Sequence, residues 1–394
     1  MAQNLIHLLS ARTWGGTERY ALDICRHFAS QGWKASIFTR DIRLVDSVIA
    51  GAGLRVRHAP FSGYSDIATA FALARSLRRN GERFVVHAHS YRDAFMALLA
   101  RKLARRSPGQ VRVVMTCHRA KAAKQGRLLR RIYRNLDAHI FISSLARQRF
   151  LSTWPDGDYP FPEERLHTLG ASLLTPPEPT PLPDKGPAVA LYIGRLSPEK
   201  GIETLISSLA PLRGRRVRLC IAGTGYADYL DSLHRLASAE GVLDLIDWKG
   251  WVPDVAPLLA QARFCVTPAI WEEPFSLAAL ESISAARPVI FTCQGSQNEI
   301  LHPVALRDTL SAQTQATTGT LTEGGTTLSR GLADADSISV RPGNREELTQ
   351  AIALLASDRE LCARMGENGR RNYEDSLSWP RFAARIEKIY TPTK

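Results

Sequence analysis

Apolar runs alternate with helical patterns along this 394-residue chain, in two series separated by a proline-rich stretch. The first half has strand-like runs at 4–9, 35–39, 84–87, 111–116 and 138–142, each followed by a helical or polar segment. The second half begins the same rhythm again at 188–193, 217–222, 264–267 and 289–292. Such alternation predicts parallel sheets covered by helices. We therefore expect an α/β protein with two domains whose sheets face a cleft in which a ligand binds.

The proline-rich stretch predicts the domain connection. Six of the twelve residues at 176–187 are proline, which makes this segment stiff and non-helical. We place the first domain at 1–175, the second at 188–375 and a final helix at 376–394. The segment 302–337 is rich in Thr, Ser, Gly and Ala, and is interpreted as an inserted loop of functional or mobile character.

Composition excludes several classes of protein. With 44% hydrophobic and 23% charged residues, the chain is neither disordered nor collagen-like. Its six cysteines lie far apart without a C-x-x-C pair, which favours buried thiols in a reducing compartment. No apolar run has the length of a membrane span, and the first ten residues predict a strand instead of a signal peptide. We expect a cytoplasmic protein.

The positive charge lies entirely in the first half. Residues 1–185 carry 29 Lys and Arg against 14 acids, whereas the remainder carries 22 against 24. Such an excess predicts an anionic partner. Basic residues recur at helical spacing opposite an apolar side formed by Leu128, Leu129, Ile132 and Tyr133. We call the following residues the basic patch: Lys121, Lys124, Arg127, Arg131 and Arg134. They predict an amphipathic helix that lies on an anionic membrane surface, or equally a core-packed helix with a solvated basic face.

Two short motifs in the second half suit a diphosphate. Gly194-Arg195 follows one strand and Lys200-Gly201 opens the next helix, so two cations would lie at the carboxyl edge of the sheet. The alternative is a helix-capping arginine and a solvated lysine. Gly223-x-Gly225 follows the next strand, and indicates either close approach to a ligand or an ordinary turn.

The segment 272–281 carries the strongest signal. Pro274 and Ser276 favour a helix start, where the N–H groups of Phe275, Ser276 and Leu277 would form an anion site. Glu273 precedes that site and Glu281 lies one turn inside the helix, so they can contact different parts of one extended ligand, such as a sugar and a ribose. The alternative is two ordinary carboxylates near a helix.

A possible metal site in the first half is not supported by the pattern. His87 and His89 share one face of a strand, but no third ligand is evident. We expect no metal.

Together these motifs resemble the family-4 retaining glycosyltransferases, which have the GT-B fold of two facing, doubly wound Rossmann-like domains. The resemblance also uses Gly15-Gly16-Thr17-Glu18, Thr116-Cys117-His118, the segment 295–299 and Arg341-Pro342-Gly343. It implies that the final helix returns to the N-terminal domain. The donor would be a UDP- or GDP-linked sugar, bound mainly by the second domain.

The resemblance also implies a role for each residue. Arg195 and Lys200 would hold the diphosphate, Glu281 the ribose and Glu273 the transferred sugar. The Gly15-Gly16 loop would close over the donor, and His118 would stabilise positive charge near the anomeric carbon. In place of the family's frequent glycine, Ser276 would narrow the space beside the phosphates or donate a hydroxyl.

These expectations define a metal-independent retaining glycosyltransferase, with the acceptor on the first domain. Its charge favours an anionic glycan or glycolipid acceptor of cell-envelope or lipopolysaccharide core assembly, and peripheral binding to the inner membrane. Two alternatives remain open. A GT-B sugar-nucleotide epimerase would share the nucleotide site without an acceptor. A nucleic-acid-binding protein would suit the basic charge, although no recognised module or aromatic platform appears, so we expect no nucleic-acid partner.

Overall fold

The computed structural model of the protein describes residues 3–10, 14–41, 49, 53–63, 66–78, 82–154, 157, 159–309 and 333–392. The chain forms two compact units. Unit 1 comprises Met1–Leu174 with Trp379–Lys394, and unit 2 comprises Thr175–Ser378.

Unit 1 is built on a parallel sheet with strand order β3-β2-β1-β4-β5-β6-β7. Its strands are β1 Gln3–Leu9, β2 Lys34–Thr39, β3 Arg55–His58, β4 Arg83–Ala88, β5 Val111–Cys117, β6 Ala138–Phe141 and β7 Leu166–Thr168. Its helices are α1 Gly16–Ser30, α2 Ile67–Leu77, α3 Tyr91–Leu103, α4 Arg127–Asn135 and α5 Ser144–Leu151. The five predicted strands are present. The prediction missed β3 and β7 because both are short edge strands without a long apolar run.

Unit 2 repeats this architecture, with strand order β10-β9-β8-β11-β12-β14-β13. Its strands are β8 Ala188–Ile193, β9 Val217–Ala222, β10 Ile246–Gly250, β11 Phe264–Thr267, β12 Val289–Thr292, β13 Pro303–Ala305 and β14 Ser337–Val340. Its helices are α6 Ile202–Ser207, α7 Ala227–Ala239, α8 Ala256–Gln261, α9 Leu277–Ser284, α10 Arg345–Ser357 and α11 Arg359–Asn372, which a π-turn at Tyr373–Leu377 extends. All strand pairs in both sheets are parallel, as predicted.

The interpretation of 302–337 as a loop throughout is wrong at both ends. Residues 303–305 and 337–340 are strands β13 and β14, which pair with each other in the sheet. Strand β13 has three residues, and β14 has four, of which two are serine. Both strands are too short to give a sequence signal. The middle of the insertion, 310–332, lies outside the described residues.

The proline-rich stretch, which belongs to unit 2, is held against the rest of that unit by arginines. Arg287 is 1% exposed and donates to the backbone oxygen of Thr180 at 2.8 Å. Arg263 and Arg359 donate to the backbone oxygens of Pro183 and Leu182. Proline has no N–H group to donate to a sheet, but its carbonyl oxygen can still accept. Arginine side chains therefore donate to the backbone oxygens of this segment in place of a neighbouring strand.

The final helix, α12 Trp379–Tyr390, packs on unit 1, as the fold prediction requires. Phe382 makes an edge contact with Tyr20, and Tyr390 contacts Phe28. Ile386 is fully buried on the same face. Phe382, Ile386 and Tyr390 recur at helical spacing, and they form the face that α12 buries.

Two further observations concern membranes and thiols. Among the helices that the structure describes, none combines the length and the apolar character needed to cross a bilayer.

All six cysteines are free thiols; Cys293 is exposed, Cys117 is half-buried and the other four are buried.

Candidate functional site

In unit 2, Lys200 and Glu273 form an ion pair at the carboxyl edge of the sheet. Lys200 ends the short 3-10 turn after β8, and Glu273 lies in the loop after β11, which pairs with β8. Their side chains are 20% and 12% exposed. Trp271 Nε1 donates to Glu273 Oε2 at 3.3 Å, and the Trp271 ring centroid lies 5.6 Å from Lys200 Nζ. Two residues proposed from separate motifs are thus brought into direct contact.

Arg195 lies earlier on the same loop after β8, and it pairs with Glu199 instead of Glu273. Its Nη2 is 2.6 Å from Glu199 Oε1, and its side chain is 65% exposed. Burial alone would raise the pKa of Glu199, but the hydrogen bond from its own N–H and the Arg195 charge lower it. The Glu199 carbonyl also accepts from the N–H of Ile270 at 3.0 Å. This contact joins the loop after β8 to the loop after β11.

Helix α9 begins directly beside Glu273. Ser276 caps it, because its Oγ accepts from the N–H of Ala279 at 3.1 Å. The cap uses a lone pair of the hydroxyl and leaves its proton, so the expected donation to phosphate stays a prediction. The first intrahelical bond runs from Leu280 N–H to the Ser276 carbonyl, so the N–H of Leu277 has no partner within the helix. Glu281 is half-buried on the second turn.

The glycines of Gly223-x-Gly225 are explained by a neighbouring loop. A Cβ added to Gly223 would lie 1.8 Å from the Gly194 carbonyl oxygen, and one added to Gly225 would lie 2.1 Å from that of Leu196. The predicted close approach therefore exists, but it joins two protein loops. Their contact with a donor stays a prediction.

Gly225→Ala is expected to destabilise the protein by about 1–3 kcal/mol, because the methyl group would separate the loops after β8 and β9. Gly109→Ala is the matched control, since its Cβ would meet only Ser107 Oγ at 3.9 Å. Urea unfolding of both variants measures the difference. Equal stabilities would show that the two loops are not held together as described.

In unit 1, the predicted glycine pair lies at the start of α1. Gly15 is the N-cap and Gly16 the first helical residue. Glu18 is 4% exposed and accepts hydrogen bonds from its own N–H and from that of Gly15. Burial raises the pKa of Glu18 to about 6, and these hydrogen bonds only partly oppose the shift. A carboxylate of the chain itself thus occupies the anion position at this helix end. Closure of this loop over the donor stays a prediction.

The Glu18 shift predicts a pH dependence of stability. Its pKa is raised from 4.5 in the reference state to about 6 in the folded protein. The contribution of Glu18 to stability is therefore fully present below about pH 4.5 and is lost as the pH rises through about 6. As the pH rises across this window, we expect the free energy of unfolding of Glu18→Gln to increase relative to that of the wild type. Urea unfolding at a series of pH values tests this, and a pH-independent difference would contradict the assignment.

Four histidines lie together in the interior of unit 1. His7 is on β1, His87 is on β4, and His89 and His118 follow β4 and β5. His7 Nδ1 is 2.8 Å from His89 Nε2, and His89 Nδ1 is 2.9 Å from His118 Nε2. The expectation that His87 and His89 lack a third partner is wrong, because candidate ligand nitrogens of His7, His87 and His89 lie within 4.8 Å of one another.

Hydrogen bonds account for these rings as neutral groups. His87 contacts Tyr390 Oη through Nδ1 at 2.6 Å and Thr116 Oγ1 through Nε2 at 2.7 Å. Burial lowers the pKa of His7 to about 3, with repulsion from His118 as the smaller cause, and burial lowers that of His118 to about 3. The pKa values of His87 and His89 are lowered well below the usual value, again chiefly by burial. At neutral pH the cluster therefore carries no charge.

The basic patch is exposed but is not one helix. Arg127, Arg131 and Arg134 lie on α4, whereas Lys121 and Lys124 precede it in a segment without regular secondary structure. Gly126 at the N-cap has φ of 128°, which interrupts the helix that the spacing predicted.

The expected apolar side of α4 is also smaller than predicted. Ile132 and Tyr133 are buried and Leu129 is half-buried, but Leu128 is 42% exposed.

Comparisons with known proteins agree with the fold. The family described as "Glycosyltransferase Family 4" matches residues 14–169, and "Glycosyl transferases group 1" matches 187–358. The structure of Anabaena HepE in complex with UDP and glucose is similar over 99% of both chains, with a TM-score of 0.76 and 16% identity.

Two curated relatives are similar over shorter regions. The alpha-D-kanosaminyltransferase of Streptomyces kanamyceticus is 28% identical over 46% of this chain and 39% of its own. The lipopolysaccharide core biosynthesis glycosyltransferase LpsE of Rhizobium meliloti is 36% identical over 26% of this chain and 29% of its own. In both cases the matched region covers less than two thirds of the relative.

Two units, each built on a parallel seven-stranded sheet with helices, place this chain in the GT-B fold class. Because the two family matches together span most of the chain, the protein belongs to the family-4, group 1 glycosyltransferases.

Sequence reasoning missed three partners of the predicted residues. Trp271 stands two positions before Glu273, and Glu199 stands between the two predicted cations. Their proximity along the chain was the available signal. His7 interrupts the first apolar run, and a polar residue inside a central strand indicates a buried hydrogen-bonded partner.

Proposed function

We propose that this protein is a retaining glycosyltransferase that transfers a sugar from a nucleotide diphosphate sugar. The observation that carries the proposal is the group formed by Lys200, Glu273 and the start of α9 in a chain of this family. It offers a cation and the N–H of Leu277, which has no partner within the helix, for a diphosphate, with a carboxylate beside them for the sugar hydroxyls. The UDP found with HepE supports a nucleotide donor of this kind, UDP- or GDP-linked here.

In the proposed reaction, the bond between the anomeric carbon and the leaving phosphate breaks as the acceptor oxygen bonds to the same face. The leaving phosphate accepts the proton of the acceptor hydroxyl. Lys200 and the N–H groups at the start of α9 stabilise the charge that grows on the diphosphate. Glu273 positions the transferred sugar and Glu281 the ribose. His118 of unit 1 stabilises positive charge near the anomeric carbon, and the proposed transfer needs no metal.

Loss of the diphosphate contacts tests the donor assignment. Lys200→Ala is expected to lower kcat/KM about a hundredfold, since one contact to developing charge is removed. Arg195→Ala should lower it less, because Arg195 is exposed and shares its charge with Glu199. Thermal unfolding with UDP, GDP, ADP and TDP identifies the donor base, since a ligand at about 100 times its Kd adds about 2.7 kcal/mol. The Lys200 variant should lose that gain.

A control variant for Lys200→Ala is available in unit 2, and two outcomes would contradict the proposal. Arg213→Ala removes another exposed cation, whose carboxylate partner Asp244 lies 3.8 Å away, and should leave turnover unchanged. Wild-type turnover in Lys200→Ala would overturn the phosphate role. The rate should also withstand EDTA, and a loss of activity restored by Mg²⁺ or Mn²⁺ would overturn metal independence.

We further propose that the acceptor is an anionic glycan or glycolipid of the cell envelope, such as a lipopolysaccharide core, reached at the inner membrane surface. LpsE is named for that pathway, which supports the proposal without extending its substrate to this chain. All five side chains of the basic patch are exposed, and Leu128 stands exposed among them. Basic side chains beside an apolar one suit an anionic lipid surface, at about 1 kcal/mol for each cation.

Reversal of the helical part of the patch tests membrane binding. The triple variant Arg127→Glu, Arg131→Glu and Arg134→Glu should bind phosphatidylglycerol vesicles about a hundredfold more weakly than wild type at low salt. The control variant Arg213→Glu, Arg215→Glu and Arg216→Glu has the same net charge, with three exposed positions of unit 2. Vesicle sedimentation at low and high salt measures both. Equal losses would mean that net charge, and not this patch, drives binding.

A further inference from the structure

The buried histidines of unit 1 form one continuous hydrogen-bonded chain. It begins at His118 and ends at Thr116, passing in order through His89, His7, Tyr390 and His87. The link between His7 Nε2 and Tyr390 Oη is the longest, at 3.5 Å. Both ring nitrogens of His7, His87 and His89 are used within the chain. His7 and His87 are fully buried, whereas His89 and His118 are half-buried.

The chain couples the tautomers of three rings. A neutral imidazole has one N–H donor and one bare acceptor nitrogen. His89 contacts His118 through Nδ1 and His7 through Nε2, so it must donate on one side and accept on the other. If any ring changed its tautomer alone, two N–H groups or two lone pairs would face each other at 2.8 or 2.9 Å. His118, His89 and His7 are therefore all protonated at Nε2 or all protonated at Nδ1.

The hydroxyl of Tyr390 selects between these two states. In one state it donates to His87 Nδ1 across 2.6 Å, and in the other it would donate to His7 Nε2 across 3.5 Å. The shorter contact makes the stronger hydrogen bond for the phenol proton. The hydroxyl therefore donates to His87, and its oxygen accepts from His7. This direction requires a proton on Nε2 of His7, and the same direction passes through His89 to His118. His87 in turn donates through Nε2 to Thr116.

We propose that Tyr390 is a positioning residue that fixes His118 as the Nε2–H tautomer, with its Nδ1 bare and able to accept. The relevance to sugar transfer rests on the proposed function, in which His118 acts near the anomeric carbon. The chain itself does not depend on that role. Tyr390 lies on α12, so the last helix of the polypeptide sets the hydrogen-bonding character of a candidate catalytic ring in unit 1.

The test is imidazole ¹⁵N NMR of the full-length protein, with resonances assigned by single histidine substitutions. In the wild type, His7, His89 and His118 should each show a protonated Nε2 and a bare Nδ1. Tyr390→Phe keeps the ring and removes the hydroxyl, and should convert all three into a mixture of tautomers. Tyr133→Phe is the matched control, because it removes another buried hydroxyl of unit 1, bonded to the Lys124 carbonyl. It should leave the three rings unchanged.

A kinetic measurement separates this proposal from the proposed function. Tyr390→Phe should lower kcat about tenfold with the donor KM unchanged, whereas Tyr133→Phe should not. Mixed tautomers in the wild type, unchanged tautomers in Tyr390→Phe or an unchanged kcat would each overturn the positioning role. If Tyr390→Phe fails to fold, His7→Phe breaks the chain at the next ring and should have the same effect on His118. A wild-type protein with the predicted tautomers but no transferase activity would contradict only the proposed function.

Discussion

The candidate site of unit 2 depends on backbones that approach too closely for any side chain. A Cβ on Gly201 would lie 2.0 Å from the Pro268 carbonyl oxygen, and one on Gly295 would lie 2.3 Å from the N–H nitrogen of Glu273. Both glycines also have positive φ, 68° and 85°, so a side chain is excluded by conformation as well as by space. The loops after β8, β11 and β12 are thereby fixed against one another. Lys200 and Glu273 can meet because Gly201 and Gly295 allow the backbones of these loops to approach so closely.

Fixed loops have a consequence for the electrostatics of the site. The Lys200 and Glu273 side chains are both largely buried, and each would be costly to desolvate alone. In contact they neutralise each other, while Trp271 supplies a further donor to the carboxylate. A diphosphate would therefore compete with Glu273 for Lys200. Its binding would redistribute an existing ion pair instead of filling a bare cationic pocket.

The sequence allowed prediction of features that repeat locally, and missed those that depend on contact over a distance. The strands at 188–193, 217–222, 264–267 and 289–292 matched the structure because buried parallel strands are continuous apolar runs. Lys200 and Glu273 were found as motif members, but 73 positions separate them and nothing local predicts their contact. His7 pairs with His87 only through the register of β1 and β4. The helix predicted from the charge spacing of the basic patch was too long, because Gly126, with a φ of 128°, ends the helical conformation before Arg127.

Unit 1 separates its exposed excess of positive charge from its buried histidines. Its excess of basic residues includes the exposed patch around α4, while the interior cluster consists of histidines that burial keeps neutral. Since a buried cation without a partner is strongly disfavoured, a polar interior chain in so basic a unit has to be built from groups that can lose their charge. Imidazole does so while keeping one donor and one acceptor. Because neutral rings carry no net charge to orient them, the direction of their hydrogen bonds must come from a group with a stronger preference, and the Tyr390 hydroxyl is that group.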